Sequence, residues 1–425
     1  MGKRRVVITG MDLVTPIGVG LDAYWKAALA GVSGVRRISH FDPTGLPSQI
    51  GSFVPEPLDA FREPLGLGPD ELRSVVFALL ASRRALDQAG GSGFLRGARA
   101  GVYVGTSGER IDLRRLGAIG YAAREPGARI LPDRFMREYA SAFAADRLYR
   151  TLPQYVTARI AEDLGITGRG ATIQTACTSS AQAVGEAFRA VRRGELDAAL
   201  AVGAECIVAP IEMQLFCLLG VLSKKNDAPE KASRPFDALR DGFVLGEGVG
   251  ALALEELERA ERRGATVLAE VGGYGTSCDA YRITAETPDG RGAALAMRRA
   301  LADAGLAPTD VDYVNAHGTS TPMNDRVETM AIKAVFGPHA RALKVSSTKS
   351  MIGHTISAAG AIELITTVLA LRDQAVPPTI NYEVPDPECD LDYVPNRAQS
   401  VPLRAAISNS FGFGGHNDCL LVRRP

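Results

Sequence analysis

The chain has 425 residues and a mass of 45.0 kDa, which is more than one compact core usually holds, so we expect two lobes or a duplicated fold. Hydrophobic residues make up 46% and charged residues 23%, close to globular averages, which excludes a disordered, collagen-like or coiled-coil chain. The 48 Lys and Arg balance the 48 Asp and Glu. No positive field is therefore available for a nucleic-acid backbone, and no nucleic-acid partner is expected.

The start of the chain and its cysteines predict a cytoplasmic protein that does not enter a membrane. The apolar run Val6–Ile8 is too short for a signal peptide, and nowhere does an apolar run reach the roughly 18 residues of a membrane span. The six cysteines contain no C-x-x-C pair, as is typical of a reducing compartment. We expect all of them except Cys177 to be packing residues.

Short β-branched runs that end in glycine alternate with helical stretches, a pattern that predicts an α/β protein with helices layered over a sheet. A first strand is predicted at Arg5 to Ile8. A helix follows at about Pro69 to Ala89, where apolar residues recur at helical spacing, and a strand follows at Ala100 to Val104.

Two segments about half a chain apart repeat a Gly-Thr-Ser sequence after a β-rich run, at positions 105–107 and 318–320. This short repeat indicates an internal duplication. We predict one half at 1–258 and a second at 259–425. The stretch 108–153 has no counterpart in the second half, and we interpret it as a helical insertion at a substrate entrance or a subunit contact.

Cys177 is the first candidate for chemistry. It lies where a β-type run passes into an alanine-rich helix, in Thr175-Ala176-Cys177-Thr178-Ser179-Ser180. A helix N-terminus favours the thiolate, which attacks acyl carbons, and the amide of the nucleophile can help to form an oxyanion hole. The structural alternative is a small buried core residue.

Two of the five histidines lie in similar corners. His317 follows a β-run in a loop of glycine and hydroxyl residues, and His354 comes five residues after Lys349, before a strong helix at Ser357 to Leu371. Lys349 is a candidate to bind a carboxylate or a phosphate. Either histidine alone is typical of a structural residue, but two such corners with a cysteine in a third favour a catalytic group.

Cys177, His317 and His354 also raise the alternative of a zinc site. They are far apart in the sequence and form no close ligand pair such as C-x-x-C, so we predict no metal. The glycine-rich turn Asn409–Asn417 is not a dinucleotide fingerprint. Its Phe413 is interpreted as a movable plug beside the nucleophile, with two core phenylalanines as the alternative.

Taken together, the motifs resemble those of the β-ketoacyl-acyl carrier protein synthases, condensing enzymes of the thiolase superfamily, over nearly the whole chain. The matching segments are Thr175–Ser180, His317–Thr321, Lys349 with Gly353-His354, Phe411–Asn417, Arg234–Asp237 and Gly242–Gly248. The resemblance implies a duplicated five-layer αβαβα fold. It also implies an acyltransferase that performs decarboxylative Claisen condensation in polyketide or specialised fatty-acid biosynthesis.

In such an enzyme Cys177 would take the acyl group from the phosphopantetheine of an acyl carrier protein. His317 and His354 would then serve decarboxylation of a malonyl unit, and two neutral imidazoles would stabilise its enolate. Lys349, supported by Glu363, would set the electrostatics around His354. Further implied roles are ordering of the His317 loop by Asp325 and Glu328, and substrate binding or gating by Phe411, Phe413, Thr319, Thr321 and His416.

The segments Asn324–Arg326 and Pro385–Pro395 and the insertion resemble type II polyketide ketosynthase subunits. Three positions depart from the family pattern: Arg282 replaces a usual histidine, His416 replaces a usual threonine, and Glu109 breaks a diglycine loop. One alternative is therefore an enzyme that cyclises or releases the tethered chain, with His416 and Arg282 handling the intermediate. Another is a noncatalytic chain-length partner, against which Cys177 argues.

The resemblance implies no cofactor and no metal, because the thioester itself supplies the activation. The expected partners are an acyl carrier protein and either a second copy of this chain or a homologous ketosynthase-like subunit.

Overall fold

The fold is that of a computed structural model, which describes residues 4–95, 98–108, 113–125, 129–142 and 149–425. Within these residues, the strands are numbered β1 to β15: Val6–Thr15, Gly18–Val19, Val35–Arg37, Ile50–Ser52, Ala100–Gly105, Gly170–Ile173, Ala198–Glu205, Gly248–Glu256, Ala269–Cys278, Tyr313–Asn315, Lys344–Ser346, Ala375–Val376, Gln399–Ser400, Ala405–Gly412 and His416–Arg423. The long strands β1, β7, β8 and β14 are buried over their whole length.

The α-helices of the described residues are numbered α1 to α14: Leu21–Leu29, Asp59–Arg62, Arg73–Gln88, Ser92–Leu95, Leu113–Ala122, Pro132–Ala142, Gln154–Leu164, Ser179–Arg192, Pro210–Leu219, Leu257–Arg262, Arg291–Ala304, Pro322–Phe336, Lys349–Ile352 and Ala359–Asp373. Most are amphipathic. In α14, by contrast, every residue from Ala359 to Leu371 is buried, which is typical of a helix enclosed between two layers.

Ten of the strands follow one path in the order β11-β10-β14-β15-β9-β1-β8-β7-β5-β6. Five of them belong to the first part of the chain and five to the second, and each set has its third, second, fourth, fifth and first strand side by side. The two sets join where β1 and β9 pair over three residues, Val6 to Ile8 opposite Ala269 to Val271. This repeated order confirms the predicted duplication.

Helices cover both faces of each set of strands. α3 packs on β1 and β8 at one outer face, and α11 packs on β9 and β15 at the other. Between the two sets, α8 lies on β7 and α14 lies on β14, and these two helices contact each other. The predicted αβαβα layering is therefore confirmed, and one face of each set of strands packs against the middle layer of helices.

Several boundaries differ from the sequence predictions. β1 continues to Thr15 instead of ending at Ile8, because Gly10 does not end the strand but lets α3 approach: a Cβ there would lie 2.0 Å from Ala85 O. Helix α3 begins at Arg73 rather than near Pro69. Within the predicted insertion the structure describes α5 and α6, whereas Glu109 lies outside the described residues.

The prediction that five cysteines are packing residues is only partly right. Cys389 and Cys419 are buried, Cys206 and Cys217 are half-buried, and Cys278 is exposed near the end of β9. Its thiol lies 3.9 Å from Gly414 O. In the described part of the chain, no helix has the length and apolar character needed to cross a bilayer.

The contact between α8 and α14 predicts a strong effect of one methyl group. In Gly360→Ala the new Cβ would lie 2.6 Å from Ala181 N and Cβ, so the two helices would have to separate. We expect a loss of about 1–3 kcal/mol in unfolding free energy, measured as a lower thermal unfolding temperature.

Gly117→Ala is the matched control, because it also lies within a helix but its Cβ would meet no described atom within 4 Å. We expect it to keep or slightly raise the unfolding temperature through helix propensity. Equal unfolding temperatures for the two variants would contradict the tight packing of α8 on α14.

Candidate active site

Three strand ends bring the candidate catalytic side chains together. Cys177 follows the parallel strand β6, and His317 and His354 follow the parallel strands β10 and β11. The carboxyl ends of parallel strands are where α/β proteins usually bind ligands. All three side chains are buried at the junction of the two halves.

The backbone before Cys177 makes a tight turn. Ala176 has a φ of 51°, a left-handed conformation that is rare for a residue with a side chain, and a short 3-10 turn at Ala176–Thr178 leads into α8. The second half has the same arrangement, since Ile356 has a φ of 41° in the turn Ile356–Ala358 that leads into α14. Ser357 therefore occupies the position that Cys177 has in the first half.

The sulfur and the two imidazoles form a close group. His354 Nε2 lies 3.1 Å from Cys177 Sγ, and the ring centroids of His317 and His354 are 5.3 Å apart at an interplanar angle of 84°. One ligand atom from each of the three residues lies within 4.8 Å of the others.

The hydrogen bonds of His354 fix which ring nitrogen carries the proton. The backbone N–H of Ile356 donates to His354 Nδ1 at 3.3 Å, so Nδ1 is the acceptor and a neutral ring has its proton on Nε2. Nε2–H then donates to the sulfur of Cys177. Burial and the nearby Lys349 hold the pKa of His354 well below its usual value, so the ring is neutral at pH 7.

The charge state of Cys177 differs from the sequence expectation. Burial raises the pKa of the thiol to about 12, although Lys349 and the backbone N–H groups of Phe413 and Cys177 act in the opposite direction. The helix N-terminus was expected to favour the thiolate, but desolvation outweighs it in the resting site. The N–H groups of Phe413 and Cys177 lie beside the sulfur and are suitable donors to a negative charge there.

One buried ion pair lies behind these groups. The Nζ of Lys349 donates a short hydrogen bond to Glu363 Oε1, and both side chains are buried. Burial raises the pKa of Glu363 to about 7, and Lys349 opposes this rise. The positive charge of Lys349 lowers the pKa of Cys177, His317 and His354.

The loop of His317 is held by two buried carboxyl groups of α12. The backbone N–H groups of His317 and Gly318 donate to Glu328 at 2.9 and 2.8 Å. Asp325 accepts from the N–H groups of Ser320 at 3.2 Å and Phe236 at 2.8 Å. Through Phe236, the Arg234–Asp237 segment contacts this loop.

The backbone of His354 is held by the Gly242–Gly248 segment. His354 N–H donates to Val244 O at 2.7 Å, and Gly246 N–H donates to His354 O at 2.9 Å. Gly353 has a φ of 69°, and a Cβ there would lie 2.9 Å from Val244 O, which explains the glycine in this corner.

A cavity of about 230 Å³ opens onto the sulfur and both histidines. Phe411, Phe413, Thr319 and Thr321 line it, and the two threonine hydroxyls lie 2.9 Å apart. His416 does not belong to the described lining residues, and its imidazole lies against Gly414 at the start of β15. Arg282 is exposed, with its guanidinium over the ring of Tyr281.

Sequence reasoning missed several groups at this cavity. Glu286 and Asn324 line it, and each has a buried side-chain oxygen, Oε2 and Oδ1 respectively, with no hydrogen-bond partner among the described residues. No sequence motif distinguishes a single acidic residue in a loop, such as Glu286, from an ordinary surface residue. The N–H of Phe413 was also missed, although the glycines around it indicated a close backbone approach.

The spacing of Cys177, His317 and His354 in the sequence does not exclude a metal, contrary to the expectation from their separation. Folding brings three zinc-ligand atoms within 4.8 Å of one another although the residues are far apart along the chain. The prediction that the protein works without a metal therefore has to rest on the chemistry of the reaction.

Comparison with known proteins relates the whole chain to condensing enzymes. Residues 3–260 match a family model described as "Beta-ketoacyl synthase, N-terminal domain", and residues 268–383 match "Beta-ketoacyl synthase, C-terminal domain". The chain is 41% identical over 429 aligned positions to the 3-oxoacyl-[acyl-carrier-protein] synthase 2 of Coxiella burnetii, which covers 100% of this chain and 99% of the relative.

Two solved structures are similar over the full length of both chains. One is a type II PKS acyl-carrier protein in complex with its ketosynthase bound to the hexaketide, with 34% identity and a TM-score of 0.87. The other is an ishigamide ketosynthase/chain length factor, with 33% identity and a TM-score of 0.86. Each alignment covers 100% of this chain and of the matched chain.

The buried cation makes a prediction about the two imidazoles. In Lys349→Met the positive charge is lost, and Glu363, whose pKa is already near 7, becomes neutral, so no new charge remains. Burial is the main cause of the low pKa of His317 and His354 and persists in the variant. Lys349 also disfavours the imidazolium, so loss of this cation should raise both pKa values part of the way toward 6.5. NMR titration of the five labelled histidines measures both values.

Lys333→Met is the control, because Lys333 forms an exposed ion pair with Asp390 and should leave both values unchanged. Unchanged imidazole pKa values in Lys349→Met would contradict an electrostatic role of this lysine.

Proposed function

The chain belongs to the beta-ketoacyl synthase family, and on that premise we propose that it condenses a Cys177-bound acyl chain with a malonyl-type unit carried on an acyl carrier protein. It is an acyltransferase of the 3-oxoacyl-[acyl-carrier-protein] synthase type, in polyketide or fatty-acid biosynthesis. The substrates arrive as phosphopantetheine thioesters, and the reaction needs no separate cofactor.

In the first half-reaction the sulfur of Cys177 attacks the carbonyl carbon of the acyl thioester. The carbonyl oxygen takes up negative charge, for which the N–H groups of Cys177 and Phe413 beside the sulfur are suitable donors. The C–S bond to the carrier then breaks, the carrier thiol leaves with the proton that Cys177 has lost, and the acyl chain remains on Cys177.

In the second half-reaction the bond between the malonyl α-carbon and its carboxylate breaks, and carbon dioxide leaves. The electron pair moves onto the thioester oxygen, where the N–H groups of neutral His317 and His354 would stabilise the enolate. The α-carbon then attacks the acyl carbon on Cys177, the C–S bond breaks, and the sulfur takes up a proton.

The observation that carries this proposal is the direction of the hydrogen bond from His354. In cysteine and serine hydrolases the histidine accepts the proton of the nucleophile and donates its other N–H to a carboxyl group. Here His354 Nδ1 accepts from a backbone N–H, and Nε2 is a donor beside the sulfur. A donor at this point suits stabilisation of an enolate and does not suit activation of water.

The alternative reaction, cyclisation or release of the tethered chain by Arg282 and His416, receives no support from the site. Neither residue belongs to the described lining of the cavity with Cys177. The noncatalytic partner subunit is disfavoured because Cys177 is present and has the two imidazoles beside it.

We propose an assembly with a second copy or a homologous subunit. One similar structure is a ketosynthase/chain length factor, and another is an acyl-carrier protein in complex with its ketosynthase. In this chain, β6 lies at the end of the sheet, and Leu215, Leu218 and Leu219 on α9 are exposed. We propose the cytoplasm as the compartment, where the catalytic thiol stays reduced.

The central test is acylation and condensation by Cys177→Ala. Incubation with an acyl-carrier thioester, with and without malonyl-carrier, followed by intact-protein mass spectrometry and product analysis, should show an acyl adduct and a longer 3-oxoacyl product only for the parent protein. We expect the variant to lose at least about 1,000-fold in condensation rate, because the attacking sulfur is absent.

Cys278→Ala is the control, since this exposed thiol lies outside the described cavity lining and should leave both steps intact. Unchanged condensation by Cys177→Ala would contradict the proposal. A shortened or cyclised product without the malonyl partner would favour the alternative reaction.

Treatment with a chelator tests the metal-free reaction. We expect EDTA or a stronger zinc chelator to leave the condensation rate unchanged, because the two imidazole donors and the thioester supply the activation. Loss of activity that added zinc restores would instead assign Cys177, His317 and His354 to a metal.

A further inference from the structure

Glu286 is a carboxyl group in the active-site cavity for which the reaction described above has no use. It lies in the segment between β9 and α11, next to Thr284 and Ala285, and all three residues line the cavity with Cys177 and His317. Its carboxyl group is near enough to Cys177 that, when ionised, it raises the pKa of that thiol.

One oxygen of Glu286 is buried without a hydrogen-bond partner among the described residues. Buried polar atoms in folded proteins nearly always have a partner, and an atom without one at a substrate cavity is a candidate to bind the substrate. Two other acids of this region differ in this respect, because Glu328 and Asp325 accept hydrogen bonds from backbone N–H groups. A third, Glu363, also has one such oxygen, but its other oxygen pairs with Lys349.

The group is held in its neutral form. Burial is the main cause that raises the pKa of Glu286 to about 8, and the nearby carboxyl groups of Glu328, Asp279 and Asp325 raise it further. A protonated carboxyl group donates one O–H hydrogen bond, as an ionised carboxylate cannot. At pH 7 the cavity therefore has a donor here instead of a negative charge.

The position of the cavity limits what Glu286 can meet. The cavity of about 230 Å³ opens onto the sulfur and both histidines, so the reacting end of the malonyl thioester enters it in the proposed second half-reaction. The one charged group of that reacting end is the malonyl carboxylate. A neutral acid would attract it through a charge-assisted O–H to carboxylate hydrogen bond, whereas an ionised Glu286 would repel it.

We propose that Glu286 binds the carboxylate of the malonyl extender and so selects a carboxylated thioester for the second half-reaction. This inference rests on the proposed function and deepens it. It makes Glu286 a substrate-binding residue of that step, with no part in acyl transfer to Cys177.

Other titratable groups face the same region, and the test has to separate them from Glu286. Burial holds the pKa of His317 and His354 well below 6.5 and raises that of Cys177 to about 12. Burial also raises the pKa of Glu328 to about 7. Asp279 and Asp325 complete the set, and Lys349 acts on both histidines. Glu286→Gln leaves all of these in place and removes only the titration of Glu286.

The experiment compares Glu286→Leu, Glu286→Gln and the parent protein with malonyl-pantetheine as extender and a preformed acyl-Cys177 enzyme. In Glu286→Leu we expect the KM for malonyl-pantetheine to rise about tenfold at pH 7, the effect of one lost hydrogen bond to a charged group. Glu286→Gln keeps an N–H donor and should keep the KM near that of the parent.

Acetyl-pantetheine, used as an inhibitor, separates the carboxylate from the rest of the substrate. Its inhibition constant should be the same in the parent and in Glu286→Leu. An equal rise for malonyl-pantetheine and acetyl-pantetheine would overturn the proposal and assign Glu286 to the pantetheine arm that both share.

The pH dependence supplies a readout that a purely structural role would not change. Glu286 donates below its pKa and loses the proton as the pH rises, so the KM of the parent should increase above about pH 8. In Glu286→Gln this increase should be absent. The same alkaline increase in both proteins would overturn the proposal.

Glu258→Leu is the control, because that side chain is 79% exposed on α10. Acyl transfer to Cys177, followed by mass spectrometry, distinguishes the two proposals. A parent protein that forms no acyl-Cys177 would contradict the proposed function. Normal acylation and condensation with an unchanged KM in Glu286→Leu would overturn only the role of Glu286.

Discussion

The contact between α8 and α14 is the constraint on which the active site depends. These two buried helices lie between the two sets of strands, and Gly360 lets their backbones meet at Ala181. Cys177 is in the turn that leads into α8, while His354 and the turn at Ile356 lead into α14. A shift of one helix on the other would therefore change the 3.1 Å distance between His354 Nε2 and Cys177 Sγ directly. The packing of the two helices in the middle layer therefore also determines the geometry at the sulfur.

Burial governs the electrostatics of this site. It keeps His317 and His354 neutral and makes them donors, and it also keeps the resting sulfur protonated. The positive charge of Lys349 partly offsets the second effect and strengthens the first. Glu363 balances that charge at a distance from the sulfur, so that the cation can be buried at all. The site thus combines neutral donors with the buried ion pair of Lys349 and Glu363 behind them.

Local sequence patterns predicted a good part of this structure. The change from a β-run to a helix at Cys177, and the glycines beside His317 and His354, placed all three residues at strand ends. The repeated Gly-Thr-Ser indicated the duplication that the strand order contains. These patterns could not predict the distances between the three side chains. Those distances depend on how strands far apart in the sequence pair, because the pairing decides which loops meet.

The errors have physical reasons as well. His416 was assigned to the substrate pocket because it is three residues from Phe413, but the chain reverses at Gly414 and Gly415, and its ring turns toward Gly414. The charge on Cys177 was misjudged because a helix N-terminus is visible in a sequence and the degree of desolvation is not. Glu286 was overlooked because it is distinguished by a buried oxygen without a hydrogen-bond partner among the described residues. No sequence pattern indicates such an atom.

The matching turns before α8 and α14 show that the two halves contribute unequally to the site. Ala176 and Ile356 share a left-handed backbone, and the residues that follow them are Cys177 in one half and Ser357 in the other. In the proposed reaction the two halves therefore contribute different groups, since the first provides the sulfur of Cys177 and the second provides the imidazoles of His317 and His354. Neither half on its own carries all three side chains, so a fragment that contains only one half would lack a complete site.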